Sequence, residues 1–141
     1  MTSCVCLFLE SRISEHYEAE WPPNLDALAT APANHRLLFE EDAVRVLEVA
    51  VEPGERENLH YDRWPSIMVV LARPNYRNFD ADGNAFPPSG GTPTNPSLPR
   101  ALRLPPQRLH AIEVAADAPH SFRGIRIEFK RSWCRGRLGV P

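Results

Sequence analysis

Gly124-Ile125-Arg126-Ile127-Glu128-Phe129-Lys130 alternates apolar and charged residues without a break. A period of two is the signature of a β-strand with one face packed and the other in water. It predicts Ile125, Ile127 and Phe129 turned inward and Arg126, Glu128 and Lys130 turned outward. Working back along the chain, residues 108–114 alternate too, with His110, Ile112 and Val114 on one face and Glu113 on the other. Residues 66–72 form a continuous apolar run, as a central strand does, and residues 76–80 are extended. In the valine-rich stretch 43–52, Arg45, Leu47, Val49 and Val51 share a face, opposite Glu48 and Glu52. Residues 59–62 are a short extended piece. Pro53-Gly54 and Asp82-Gly83 are turn dipeptides in which glycine accepts a positive φ cheaply.

Six or seven short strands with no βαβ spacing indicate an all-β, antiparallel sandwich or barrel. The chain has 141 residues, 43% of them hydrophobic and 24% charged, which suits one soluble domain with its own core. Fifteen prolines disfavour long helices. A net charge of -2 from 16 basic and 18 acidic residues gives no footprint for nucleic acid or an anionic membrane. Three cysteines, Cys4, Cys6 and Cys134, have no framework spacing. Cys4-Val5-Cys6 reads as two thiols, with no second pair to complete a zinc site. The apolar run 4–9 is too short for a signal peptide or a membrane span, so the expectation is a cytoplasmic protein.

Leu9, Ile13 and Tyr17 recur at helical spacing, which predicts a helix over 3–20, stopped by Trp21-Pro22-Pro23. A second short helix over 24–30 would take Asn24 as its N-cap. The expected organisation is a partly helical N-terminal extension (1–30), a β-barrel (31–131) and a C-terminal tail (132–141). Residues 84–100 hold five prolines and two glycines and read as a loop with little burial.

His60 and Asp62 stand two apart in an extended segment, so their side chains leave the same face. If His110 shares the interior, two imidazoles and one carboxylate converge on an apolar cavity. That donor set suits a divalent metal with open positions. Without metal, His60 and His110 can serve as general base and acid, with Asp62 raising and orienting an imidazole. Tyr61 and Trp64 are candidates to stack on a substrate, or are plain rim packing. Arg45 is either a frayed strand start in water or a buried cation needing a partner, such as a substrate carboxylate. His16, His35 and His120 read as surface or strand-end residues.

Residues 26–130 resemble the small single-domain cupins. The resemblance is carried by Pro53-Gly54-Glu55-Arg56, by His60-Tyr61-Asp62-Arg63-Trp64-Pro65-Ser66, and by Leu104-Pro105-Pro106 before His110. Residues 34–40, 44–48 and 125–130 look like the family's first and last strands. The resemblance implies a jelly-roll-like cupin β-barrel, and His60 and His110 match the first and last metal ligands. Asp62 stands where a second histidine is expected, the glutamate position falls at Ser66 or Ile67, and Arg73-Pro74 occupies a turn that usually holds glycine. The implied function is a small-molecule enzyme of oxygenase, isomerase or lyase type, with one divalent metal (Fe, Zn, Mn or Ni) on His60, Asp62 and His110. The alternatives are a metal-free isomerase or cyclase, or a non-catalytic ligand-binding barrel. A homodimer is also implied, with the N-terminal helix, Phe8, Trp21 and Trp133 free to supply contacts.

Overall fold

A computed structural model describes residues 22–87 and 97–130 of the chain. The expected helix over 3–20, the three cysteines, His16, the Phe8, Trp21 and Trp133 contacts and the centre of the proline-rich loop lie outside the described residues. Pro23–Leu25 is one turn of 3-10 helix and Ala27–Thr30 is a short α-helix, α1. Its N-cap is Asp26 rather than Asn24: the Asp26 carboxylate accepts the Leu28 N–H at 3.1 Å, and Asn24 falls inside the preceding turn.

Nine strands follow among the described residues: β1 (His35–Glu40), β2 (Val44–Val51), β3 (His60–Asp62), β4 (Ser66–Ala72), β5 (Tyr76–Asp80), β6 (Ala85–Phe86), β7 (Arg100–Leu104), β8 (Gln107–Val114) and β9 (Phe122–Phe129). They form a five-stranded sheet in the order β1-β2-β9-β4-β7 and a four-stranded sheet in the order β3-β8-β5-β6. Every pairing between these strands is antiparallel. The ends of the expected 84–100 loop pair as β6 and begin β7. The turn glycines Gly54 and Gly83 have φ of 81° and 83°, as their dipeptides predict. Among the described residues no helix is long and apolar enough to cross a membrane.

The two sheets face each other across one core. Val49 and Val51 of β2, Met68 and Val70 of β4, Leu104 of β7 and Phe122 of β9 meet Ile112 and Val114 of β8. Gly124 keeps this contact open: a Cβ at that position would lie 2.8 Å from Met68 Sδ, so a larger residue would push the Met68 side chain aside. On β2 the odd-numbered face is buried, as the alternation predicts, and Arg45 goes in with it at 5% exposure.

On β9 the predicted faces are reversed. Arg126 and Glu128 are buried at 3% and 0% exposure, while Ile125, Ile127 and Phe129 are half-buried on the outer side. Directly opposed residues share a sheet face. The isoleucines therefore pack against outward Val46, Ile67 and Val69 through the pairs Val46–Ile127, Ile67–Ile127 and Val69–Ile125. The charged residues find buried counter-charges inside. Glu128 bonds Arg45 on the neighbouring strand, Arg45 holds Asp26 through two 2.9 Å bonds, and Arg126 reaches Asp62. A strictly alternating strand fits either way round, and these ion pairs decide which.

Candidate metal centre

His60 lies directly opposite His110 across the β3–β8 ladder, and their ring centroids are 4.6 Å apart. Asp62 is fully buried on the same side as His60, with Oδ2 3.5 Å from His110 Nε2. The three residues singled out from the sequence are therefore brought together, with donor atoms within 4.8 Å of one another.

Two further residues complete the cluster. His35 is buried at 4% exposure, and its ring is 4.6 Å from that of His60. His35 is a strand-end residue, as expected, but it is not on the surface, and for a specific reason. A bulge shifts the β1–β2 register between Leu37 and Phe39, so His35 pairs with inward Val49. Without the bulge it would face outward Ala50. Glu57, at 5% exposure, is the other addition. It sits on a segment that runs along β8: its N–H donates to the Ile112 carbonyl and its Oε2 accepts the Ile112 N–H, at 3.0 and 2.9 Å. His35, Glu57 and His60 form a second donor group with atoms within 4.8 Å.

All three imidazoles are pinned in the same way. Nδ1 of His35, His60 and His110 lies 3.2, 2.9 and 2.7 Å from the carbonyls of Ala31, Asn58 and Arg108. A carbonyl only accepts, so each Nδ1 donates and Nε2 is left as the nitrogen available to a ligand or a proton. This is the arrangement by which backbone carbonyls orient metal-binding histidines. Burial, followed by the nearby His60, lowers the His35 pKa to about 4. Burial likewise lowers His110 to about 4, against the pull of Asp62. Both rings are then neutral at pH 7, with Nε2 facing carboxylate oxygens of Glu57 and Asp62 at 3.7 and 3.5 Å. A proton or a metal cation between such a nitrogen and oxygen would relieve the facing lone pairs. Asp62 Oδ1 is buried without a hydrogen-bond partner. Burial pushes the Asp62 carboxyl upward, yet Arg126 and then the imidazoles hold it at about 2. Burial lifts Glu57 to about 7. Three buried imidazoles, two buried carboxyls and an orphaned carboxylate oxygen are a donor set that fits a borderline divalent cation.

His35, Glu57, His60 and His110 form one pole of a cavity of about 70 Å³, and Asp62 is not part of its lining. Gln107 and Arg126 join it, and Val49, Met68, Val70, Leu104, Ile112 and Phe122 make the apolar wall. That is room for on the order of five water-sized groups.

Tyr61, Trp64 and Arg45 are not brought to this cavity. Tyr61 points to the other side of β3, donates to the Pro22 carbonyl at 2.6 Å, and lines a separate groove of about 330 Å³ with Leu25, Arg108 and Leu109. Trp64 is half-buried under the guanidinium groups of Arg45 and Arg63, 4.8 and 5.0 Å from its ring centroid. Arg45 is inside rather than frayed, and the chain itself supplies the partners a buried cation needs, Asp26 and Glu128. Glu113 and His120 lie outside as expected, with Glu113 paired to Arg56 and Arg77.

No family model and no curated protein matches the chain. Solved structures do. A cupin domain from Bordetella pertussis aligns with a TM-score of 0.52 at 14% identity, over 69% of this chain and 92% of that one. An RmlC-like cupin family protein with a double-stranded β-helix fold, from Methanocaldococcus jannaschii, aligns with a TM-score of 0.48 at 10% identity, over 67% and 77%. At such identity the likeness is one of fold: the paired antiparallel sheets of this chain are arranged as in the Bordetella cupin domain.

Proposed function

We propose that the chain is a cupin-type enzyme acting on a small organic molecule in the interior cavity, with a divalent cation held at His60 and its neighbours. The observation that supports this is the uniform pinning of three buried imidazoles, each Nδ1 on a backbone carbonyl, around two buried carboxyls. The cation would act as a Lewis acid on a substrate oxygen, or would activate water or dioxygen. The protein's share is orientation and exclusion. The carbonyls of Ala31, Asn58 and Arg108 fix the imidazole planes. The apolar wall keeps bulk water off the reacting group and sorts substrates by a short apolar portion. The reaction class is that of an oxygenase, isomerase or lyase on a compact substrate.

A second reading is metal-free acid–base catalysis, and it is favoured by one observation. The Glu57 carboxyl, raised to about 7 by burial, is poised to exchange a proton at neutral pH beside His35 and His60.

Equilibrium dialysis of chelator-stripped protein against zinc or cobalt separates the two. The metal reading expects one tightly bound cation per chain in the native sequence and none in His60→Ala, with the fold retained. A native chain that binds no cation returns the site to acid–base chemistry.

A further inference from the structure

The two donor groups share His60. Its Nδ1 is taken by the Asn58 carbonyl, so a single Nε2 can serve only one of them. We propose that the cation binds on the His35–Glu57–His60 side of the cluster, and not on the His60–Asp62–His110 side that the sequence pattern singles out. The inference rests on the reading above, that the cavity holds a cation.

The first reason is charge. Asp62 Oδ2 already has the Arg126 guanidinium at 2.9 Å, and both side chains are buried. The other end of that guanidinium is tied to Gln107 Oε1 at 2.7 Å, so Arg126 is fixed in place. A dication on Asp62, even on its unpartnered Oδ1, would sit beside a fixed buried cation on the same carboxylate, where screening by water is weak. Glu57 has no such neighbour bonded to it. Its Oε2 accepts one backbone N–H, and its Oε1 faces the neutral His35 ring. A buried carboxylate without a counter-charge is costly, and a cation relieves that cost.

The second consideration is spacing, which both groups meet. His35 Nε2 and Glu57 Oε1 are 3.7 Å apart, and His110 Nε2 and Asp62 Oδ2 are 3.5 Å apart. Two ligands on a tetrahedral zinc with bonds of ~2.0–2.1 Å stand ~3.3–3.5 Å apart. Spacing therefore admits the His35–Glu57 pair without choosing it, and charge and topology make the choice.

The third reason is topology. His35 lies on β1, an edge strand of the five-stranded sheet, and His60 on β3, an edge strand of the other. Their pairing ladders do not join. A cation on His35, Glu57 and His60 would tie the two edges together. A cation on His60, Asp62 and His110 would join only β3 and β8, which are already neighbours. The proposed site therefore makes the cation a fastener between sheets as well as a reagent.

The test is zinc affinity of the stripped 141-residue chain and of its His35→Asn, Glu57→Gln and His110→Asn variants, each checked by circular dichroism. The expected result is a loss of about 100-fold or more in His35→Asn and Glu57→Gln and a change under about tenfold in His110→Asn. A loss in His110→Asn as large as in His35→Asn overturns the proposal and leaves the metal reading intact. No zinc binding by the native chain overturns both. Because a variant can fail to fold, cobalt-loaded native protein gives an independent reading by NMR. Strongly contact-shifted ring N–H signals from His35 and His60 support the site, and such a signal from His110 in place of His35 overturns it.

Discussion

Arg126 Nη1 lies 2.9 Å from Asp62 Oδ2, on a strand whose alternation points Arg126 to solvent. The pair joins β9 to the end of β3 and so links the two sheets at the histidine–carboxylate cluster. It also neutralises the one carboxylate that the sequence pattern offers as a ligand. Removing one partner of a buried pair leaves an uncompensated charge, which costs about 3–5 kcal/mol.

Arg126→Met therefore lowers unfolding stability by about that amount, read from urea denaturation. Arg123→Ala, which removes an exposed pair with Glu52, costs less than about 1 kcal/mol. Equal effects of the two substitutions would contradict the buried network.

Tyr61→Phe removes the hydroxyl that donates to the Pro22 carbonyl and costs about 1 kcal/mol. Because Tyr61 points away from His60, zinc affinity in the same variant stays unchanged. A variant of normal stability and weakened zinc binding would place Tyr61 in the cluster after all.

Acid destabilises the chelator-treated protein. His35 and His110 titrate at about 4 in the fold against an ordinary 6.5. Between those values the unfolded chain takes protons that the fold refuses, so stability is lost as pH falls through that window. Glu57 works the other way: lifted from 4.5 to about 7, it holds a proton that the unfolded chain has released, and its contribution grows on acidification. Glu128, also raised by burial, acts in the same direction as Glu57, but the two large imidazole shifts outweigh the carboxyls and leave a net loss. Thermal melts from pH 6.5 down to 4 show a falling Tm, and a Tm that rises would mean charged imidazoles in the fold.

The strand pattern was legible because alternation and turn dipeptides act locally. The runs that became β2, β4, β5 and β8 follow directly from them. The faces of β9 were not legible, since Arg126 and Glu128 turn inward only because Asp62 and Arg45, distant in sequence, await them. Of the cluster, His60, Asp62 and His110 stood out through period-two spacing. His35 was hidden by one bulged residue in β1, which reverses every face behind it. Glu57 was hidden because it is an odd number of residues from His60, so simple alternation places it on the opposite face. Its position comes instead from the hydrogen bonds of its segment to Ile112. Tyr61 and Trp64 drew notice as aromatics beside the ligands, yet alternation already turned Tyr61 away from its neighbours His60 and Asp62.

X-ray absorption at the zinc edge of the metal-loaded native protein tests most directly that this buried cluster is a metal centre. The account predicts a four- or five-atom nitrogen and oxygen shell at ~2.0–2.1 Å, with the outer-shell scattering of at least two imidazoles and no sulfur. An oxygen-only shell, or one that contains sulfur, would contradict it.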